Sequence, residues 1–453
     1  MRRRLAAGLG ALAMAATAWG APPAPVAAAD EPAPAEQLKT TTPIKHFVVL
    51  MQQNHTFDNY FGTYPGADGI PPGTCMPADP ADPGNTDCIE PFHIGDQGIV
   101  DMGHTTDVFG AQVDGGRMDG FMSAFGRRRD IGTQPMGYYD DRNIPYYWNV
   151  ADNYVLFDRL FSSAVGGSLR NHMFWVTGTP GNPAADDLLP GGFDHVPTIF
   201  DSLQAAGISW KFYVQNYRPD INFRTPGVGN TANQVVWVPP LAYNRFLDDP
   251  ALNGRIADMS EYYEDLAAGT LPAVSFMAPS GSSEHPPGSI QTGERFVRTL
   301  VSALMSSSSW DTSAFMWTYD EWGGWYDHVP PPAVDAYGYG LRSPALLVSP
   351  YARSGHVDHT TLDFTSELKF IESNWGLAPL AARDAAANDI TSAFDFAAGP
   401  RPAVLLGDSR TPTELPQPRT AAVYISYGSA LLALPVLAVA AALWRRRTTG
   451  MAG

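Results

Sequence analysis

Cysteine is almost absent from this 453-residue chain, which carries only Cys75 and Cys88. Charge is sparse too, at 17%, and it leans one way: 29 Lys and Arg against 46 Asp and Glu, a net charge of −17. A nucleic-acid binder needs a basic footprint to displace counterions, so no nucleic-acid partner is expected. Internal repeats are missing, which excludes solenoids and propellers. The Gly-x-Ser-x-Gly pattern of an esterase nucleophile elbow fails at Gly166-Gly167-Ser168-Leu169-Arg170, where Arg170 stands in place of the last glycine. What the chain does have is a hydrophobic share of 44%, ample for a core, and 43 glycines and 40 prolines, the mark of long loops.

Two uncharged runs frame it. Residues 1–29 hold no acid, three arginines (Arg2, Arg3, Arg4), an apolar run from Leu5 to Trp19 and a small-residue end at Ala27-Ala28-Ala29, which reads as a signal peptide. Residues 421–444 carry no charge and are followed by Arg445, Arg446 and Arg447. That is long enough to span hydrocarbon, with the basic flank of a cytoplasmic side. A buried core helix or a second processing signal is the alternative. The expectation is therefore an exported, single-pass membrane protein. It would comprise a domain at 30–400, a Pro-rich stalk at 401–420, one C-terminal transmembrane helix at 421–444 and a cytoplasmic tail at 445–453. Cys75 and Cys88 flank a segment rich in Pro, Gly and Asp. They read as a disulfide, and ligation by two lone thiolates is the alternative, with no zinc-site spacing nearby to support it.

Within the domain, apolar runs of strand length (Ile44–Met51, Trp210–Val214, Ala273–Met277, Ala314–Thr318, Ala345–Ser349) alternate with helical periodicity at Val196–Ala206, Arg295–Met305 and Thr365–Trp375. This predicts an α/β fold with a doubly wound, largely parallel central sheet and long loop insertions. In such sheets ligands gather beyond the carboxyl ends of the strands. The first run ends in Gln52-Gln53-Asn54-His55, and a later one in Tyr319-Asp320-Glu321-Trp322-Gly323-Gly324. Neighbouring side chains on a strand face opposite ways, and a glycine bend lets Asp320 and Glu321 reach one hard cation. A helix cap or a solvated turn is the plainer reading of that pair alone. Ser168, on its glycine loop, is a candidate nucleophile if a metal lowers the pKa of its hydroxyl. His104 and His285 lie in loop sequence, where surface histidines are common.

These segments, taken in order, resemble the bacterial phosphoesterase family that contains phospholipase C enzymes and a branch of acid phosphatases, related in fold to alkaline phosphatase. The resemblance runs from about Ile44 to Leu377. It is carried by Ile44–Gly62, by His104 with Asp114–Phe121, by Ser168 with Asn171 and Thr177-Gly178-Thr179, by Glu284-His285-Pro286, and by Tyr319–Pro332 with Asp327-His328. It implies one divalent metal ion held by Asn54, Asp320, Glu321 and Ser168, with Gln53 beside them. It also implies a phosphate ester substrate, a phospholipid headgroup or a soluble monoester, attacked by Ser168, with His104 and His285 on the phosphoryl oxygens and Asn171 in the nucleophile block. Family phospholipases use Thr at the nucleophile position and the phosphatase branch uses Ser, so Ser168 leans toward monoesters. The sequence departs from the pattern at Gln53, where the family has Glu; a full charge against the dication is lost, several kcal/mol even when screened.

Aromatic residues around the second motif add the idea of a cage for a quaternary ammonium at Trp322 and Trp325, with core packing as the alternative. Two other functions compete with hydrolysis. One is a surface protein of the same fold that binds a phosphorylated ligand without turning it over, which Gln53 favours. The other is a metal-independent serine carboxylesterase, recognisable by its indifference to chelators.

Overall fold

The computed structural model describes residues 32–79, 87–95, 98–126, 128, 130–227 and 233–412. Eight strands form the central sheet: β1 (His46–Gln52), β2 (Val155–Phe157), β3 (Trp210–Val214), β4 (Ile256–Asp258), β5 (Val274–Ala278), β6 (Ser313–Tyr319), β7 (Ala345–Val348) and β8 (His356–Asp358). Their order across the sheet is β8-β2-β7-β6-β1-β5-β3-β4. The helices that matter for the site are α1 (Phe57–Phe61), α2 (Thr106–Val113), α3 (Pro145–Asn153), α4 (Ser168–Thr177), α5 (Ile199–Ala205), α6 (Ile290–Met305) and α7 (Phe364–Trp375).

The five apolar runs become β1, β3, β5, β6 and β7 with ends moved by a residue or two. Every residue of β1 and β6 is buried. Strands covered by helices on both faces need continuous apolar sequence, which is why these runs do not alternate. The sheet is mixed: β6, β1, β5, β3 and β4 pair in parallel, whereas β7 runs antiparallel to both β6 and β2. The short β2 and β8 carry too few residues for a period to be legible.

The fold class needs one correction. No helix among the described residues is long and apolar enough to cross a membrane. The longest of them, α6, has 16 residues, short of the ~20 that span hydrocarbon. It is amphipathic, burying Ile290, Val297, Leu300, Val301 and Leu304 and carrying Arg295 and Arg298. The fold is therefore α/β with a mixed sheet and no transmembrane helix among its elements, and the single-pass membrane localisation drawn from that helix is withdrawn with it. Residues 421–444, on which the expectation rested, lie outside the described residues, as do 1–29 and 445–453.

Residues 401–412, expected as the start of a stalk, lie against the domain: Arg401 donates to the Ala352 carbonyl at 2.8 Å, and Arg410 pairs with Asp141 and Asp152. Cys75 and Cys88 form a disulfide across 13 residues of sequence. Closing a loop of that size stabilises a coreless segment by about 3 kcal/mol in the chain-entropy model.

Candidate active site

The register of two adjacent strands builds the floor of the site. β1 and β6 are parallel neighbours with Gln52 opposite Tyr319, so the residues that follow, Gln53-Asn54 and Asp320-Glu321, emerge side by side at the same sheet edge. The Asp320 amide still donates to the Gln52 carbonyl at 3.1 Å, and then the chain turns. Gly323 makes the turn at φ 60°, and a Cβ there would lie 2.3 Å from the Asn54 carbonyl oxygen; only glycine fits. The bend returns the Gly323 amide to Glu321 Oε2 at 2.7 Å, while Asn54 Nδ2 donates to Glu321 Oε1 at 2.8 Å.

The next layer comes from α4. Ser168 is its first residue and His172 stands one turn on, on the same helix face. Ser168 Oγ donates to Gln53 Oε1 at 3.5 Å; the other end of that amide, Nε2, meets His172 Nε2 at 3.1 Å. His172 Nε2 lies 3.6 Å from Asp320 Oδ2. Asn171, on the adjoining flank of α4, is fully buried and ties the glycine loop: its Oδ1 accepts from the Ala164 amide at 3.0 Å and its Nδ2 donates to the carbonyls of Ala164, Gly166 and Gly167. An open cleft of about 680 Å3 lies over Ser168, lined also by His104, Thr105, Thr106, Leu169 and Asp186.

His104 reaches the floor through Nε2, 3.8 Å from Glu321 Oε1. The Glu321 carboxylate raises the His104 imidazole above its ordinary value, and burial pushes Glu321 itself up to about 7. The His104 and His285 rings are 5.7 Å apart, and Asp101 joins them closely enough for the three to share an ion. A second group of that kind, Asp58, Asp327 and His328, is already engaged by a cationic side chain: buried Arg342 sits 3.0 Å from Asp58 and 2.9 Å from Asp327.

Three oxygens of the floor, Asn54 Oδ1 and both of Asp320, are buried without a hydrogen-bond partner. A buried carboxylate left this way is costly, and a hard divalent cation is the group that satisfies a set of carboxylate and amide oxygens. The donor set thus fits the metal that the sequence resemblance implies.

The structure brings Gln53, Asn54, Asp320, Glu321, Ser168 and His104 together, and His285 stands beside His104. Trp322 and Trp325 lie elsewhere, both buried. Trp322 donates to Gln112 Oε1 at 2.6 Å and meets Phe109 edge-on, while Trp325 stacks on His55 with ring centroids 5.5 Å apart. The sequence reading missed His172 and Asp186. The four-residue spacing from Ser168 to His172 is visible once 168–177 is taken as a helix. No pattern points to Asp186, which arrives from a loop.

The match to known proteins runs over the same stretch. The Phosphoesterase family profile matches residues 44–378. Phospholipase C A of Mycobacterium tuberculosis is 30% identical over 84% of this chain and 82% of its own length. Phospholipase C B of the same organism is 29% identical, covering 80% and 79%, and non-specific phospholipase C1 of Arabidopsis thaliana is 29% identical, covering 74% and 66%. On this evidence the chain belongs to the phosphoesterase family and is a hydrolase of phosphoric ester bonds.

Proposed function

We propose that the protein is a metal-dependent phosphoester hydrolase that works through a phosphoserine on Ser168. The observation that carries this reading is the set of unpartnered buried oxygens on Asn54 and Asp320, placed beside Glu321 and within one amide of Ser168. One divalent ion on Asn54, Asp320, Glu321 and Ser168 Oγ, with Gln53 Oε1 adjacent, would supply positive charge to the alkoxide and to the phosphoryl oxygens. Ser168 attacks phosphorus in line with the departing alcohol. His104 and His285 hold the phosphoryl oxygens, and one of them hands a proton to the leaving oxygen. Water then cleaves the phosphoserine.

The test is to strip the purified protein of metal, restore Mn2+, Zn2+, Ca2+ or Mg2+ singly, and assay p-nitrophenyl phosphate and p-nitrophenyl phosphorylcholine in parallel. Metal-restored turnover is the expected result, and the preferred ester separates monoester from diester use. Turnover of these phosphate esters indifferent to chelation would show a phosphoester hydrolase that works without the metal.

Gln53 supports a second reading, a phospho-ligand binder weakened as an enzyme, because its side chain brings no charge to the cation. Gln53→Glu restores that charge and is expected to tighten metal binding by about 10- to 100-fold, with a parallel gain in turnover. Unchanged affinity, measured by calorimetry, would show that Gln53 is not what limits the site.

A further inference from the structure

Gly167, the N-cap of α4, has no side chain to cap the helix that begins with Ser168. The bond that a capping Ser or Asp would accept, from the amide three residues on, is accepted instead by Asp186: its Oδ1 takes the Arg170 amide at 2.6 Å. The same carboxylate packs against Gly167. Its Oδ2 fills the space a Cβ on Gly167 would need, 2.6 Å away. The Gly167-Ser168-Leu169-Arg170 turn is thus held by one carboxylate that arrives from a loop, bonded to the Arg170 amide and packed against Gly167. Asn171 fastens the stretch before it through the carbonyls of Ala164, Gly166 and Gly167.

We infer that Asp186 is a positioning residue for the nucleophile, capping α4 from outside the helix so that Ser168 Oγ is held toward Gln53 and the floor of the cleft. The inference rests on the proposed role of Ser168. A cap supplied by residue 167 itself would place a side chain at the rim of the cleft beside Ser168. A cap supplied by Asp186 leaves a glycine there, and Gly167 and Asp186 line the same cleft. The oxygen that accepts the Arg170 amide is what matters, so asparagine, which keeps a carbonyl oxygen, is the conservative replacement. Alanine keeps none. Gly167→Ala tests the same contact from the other side, since its methyl group displaces the carboxylate.

The experiment compares Asp186→Ala, Asp186→Asn and Gly167→Ala with the unaltered protein by steady-state kinetics on both nitrophenyl esters and by amide hydrogen exchange over 167–171. Asp186→Ala and Gly167→Ala are expected to lower kcat about 10- to 100-fold with KM within threefold, and to speed exchange at Arg170. Asp186→Asn is expected to recover both the protection and most of kcat. The inference is overturned if Asp186→Ala leaves exchange at Arg170 unchanged or keeps kcat within twofold, or if Asp186→Asn loses as much kcat as Asp186→Ala while the amide stays protected. Should the unaltered protein turn over neither ester with any metal, the proposed function fails, and the exchange data alone then decide whether Asp186 holds the turn.

Discussion

Ser168→Ala is expected to reduce turnover of either ester by about a thousandfold or more while the protein stays folded. Ser168 opens α4, is only partly buried, and makes one long side-chain contact, to Gln53. Its loss removes little packing, and the melting temperature should stay within a degree or two. Ser168→Thr keeps the hydroxyl and should keep much of the activity, which distinguishes a missing nucleophile from a disturbed helix end. A second signature is independent of rate: acid-quenching the unaltered protein during turnover of a labelled phosphate ester should leave label on Ser168, and none on the alanine variant. If Ser168→Ala retained more than a tenth of kcat, or if label appeared at another hydroxyl, the phosphoserine route would be wrong and direct attack by water would replace it.

The floor of the site was legible in the sequence because it follows from two long, wholly buried strands with apolar centres. Their burial forces continuous hydrophobic runs, and the polar residues that end each run fall at one sheet edge by register alone. Ser168 and the two histidines stood out in loop sequence, but only the resemblance joined them to one site, since nothing in their local pattern separates a cleft loop from a surface loop. Asp186 stayed hidden for a related reason: a cap that belongs to the helix shows as Ser, Thr, Asp or Asn just before it, whereas this one comes from a loop that tertiary packing brings back. Trp322 and Trp325 sit between functional residues in sequence and look exposed to a ligand on paper. Their indoles are large apolar surfaces, and the fold spends them on Phe109 and His55. The transmembrane reading drew only on composition outside the described residues, while the helix nearest to spanning length, α6, is committed to the core by its apolar face.

The largest stability effect is expected at Glu284, next to His285. Its carboxyl is fully buried and gathers three phenols: Tyr60 donates to Oε2 at 2.5 Å, Tyr319 to Oε2 at 2.8 Å and Tyr147 to Oε1 at 2.6 Å. The other titratable groups facing it are Glu294 of α6 and His55, whose ring lies 3.1 Å from the Glu284 carbonyl. Burial pushes Glu284 up to about 8 despite the three donors. An acid whose folded value lies above its unfolded one keeps a proton that the unfolded chain has already released. Its contribution is complete below about pH 4.5 and is lost as pH rises toward 8, a change on the order of 4 kcal/mol. Glu284→Gln mimics the protonated acid, with an oxygen that accepts from the phenols at one end and an NH2 that donates to a phenol at the other, and it cannot titrate. The melting temperature of the unaltered protein relative to Glu284→Gln should therefore fall by several degrees between pH 5 and 8.5, with groups common to both cancelling in the difference. Glu284→Ala leaves three buried phenols without their acceptor and should cost about 3–5 kcal/mol at pH 5, a difference that shrinks as pH rises toward 8 because the unaltered protein loses stability there and the alanine variant does not. Parallel melting curves for the unaltered and Gln proteins would mean that Glu284 is already ionised at pH 5 and that the three phenols, not a retained proton, satisfy it.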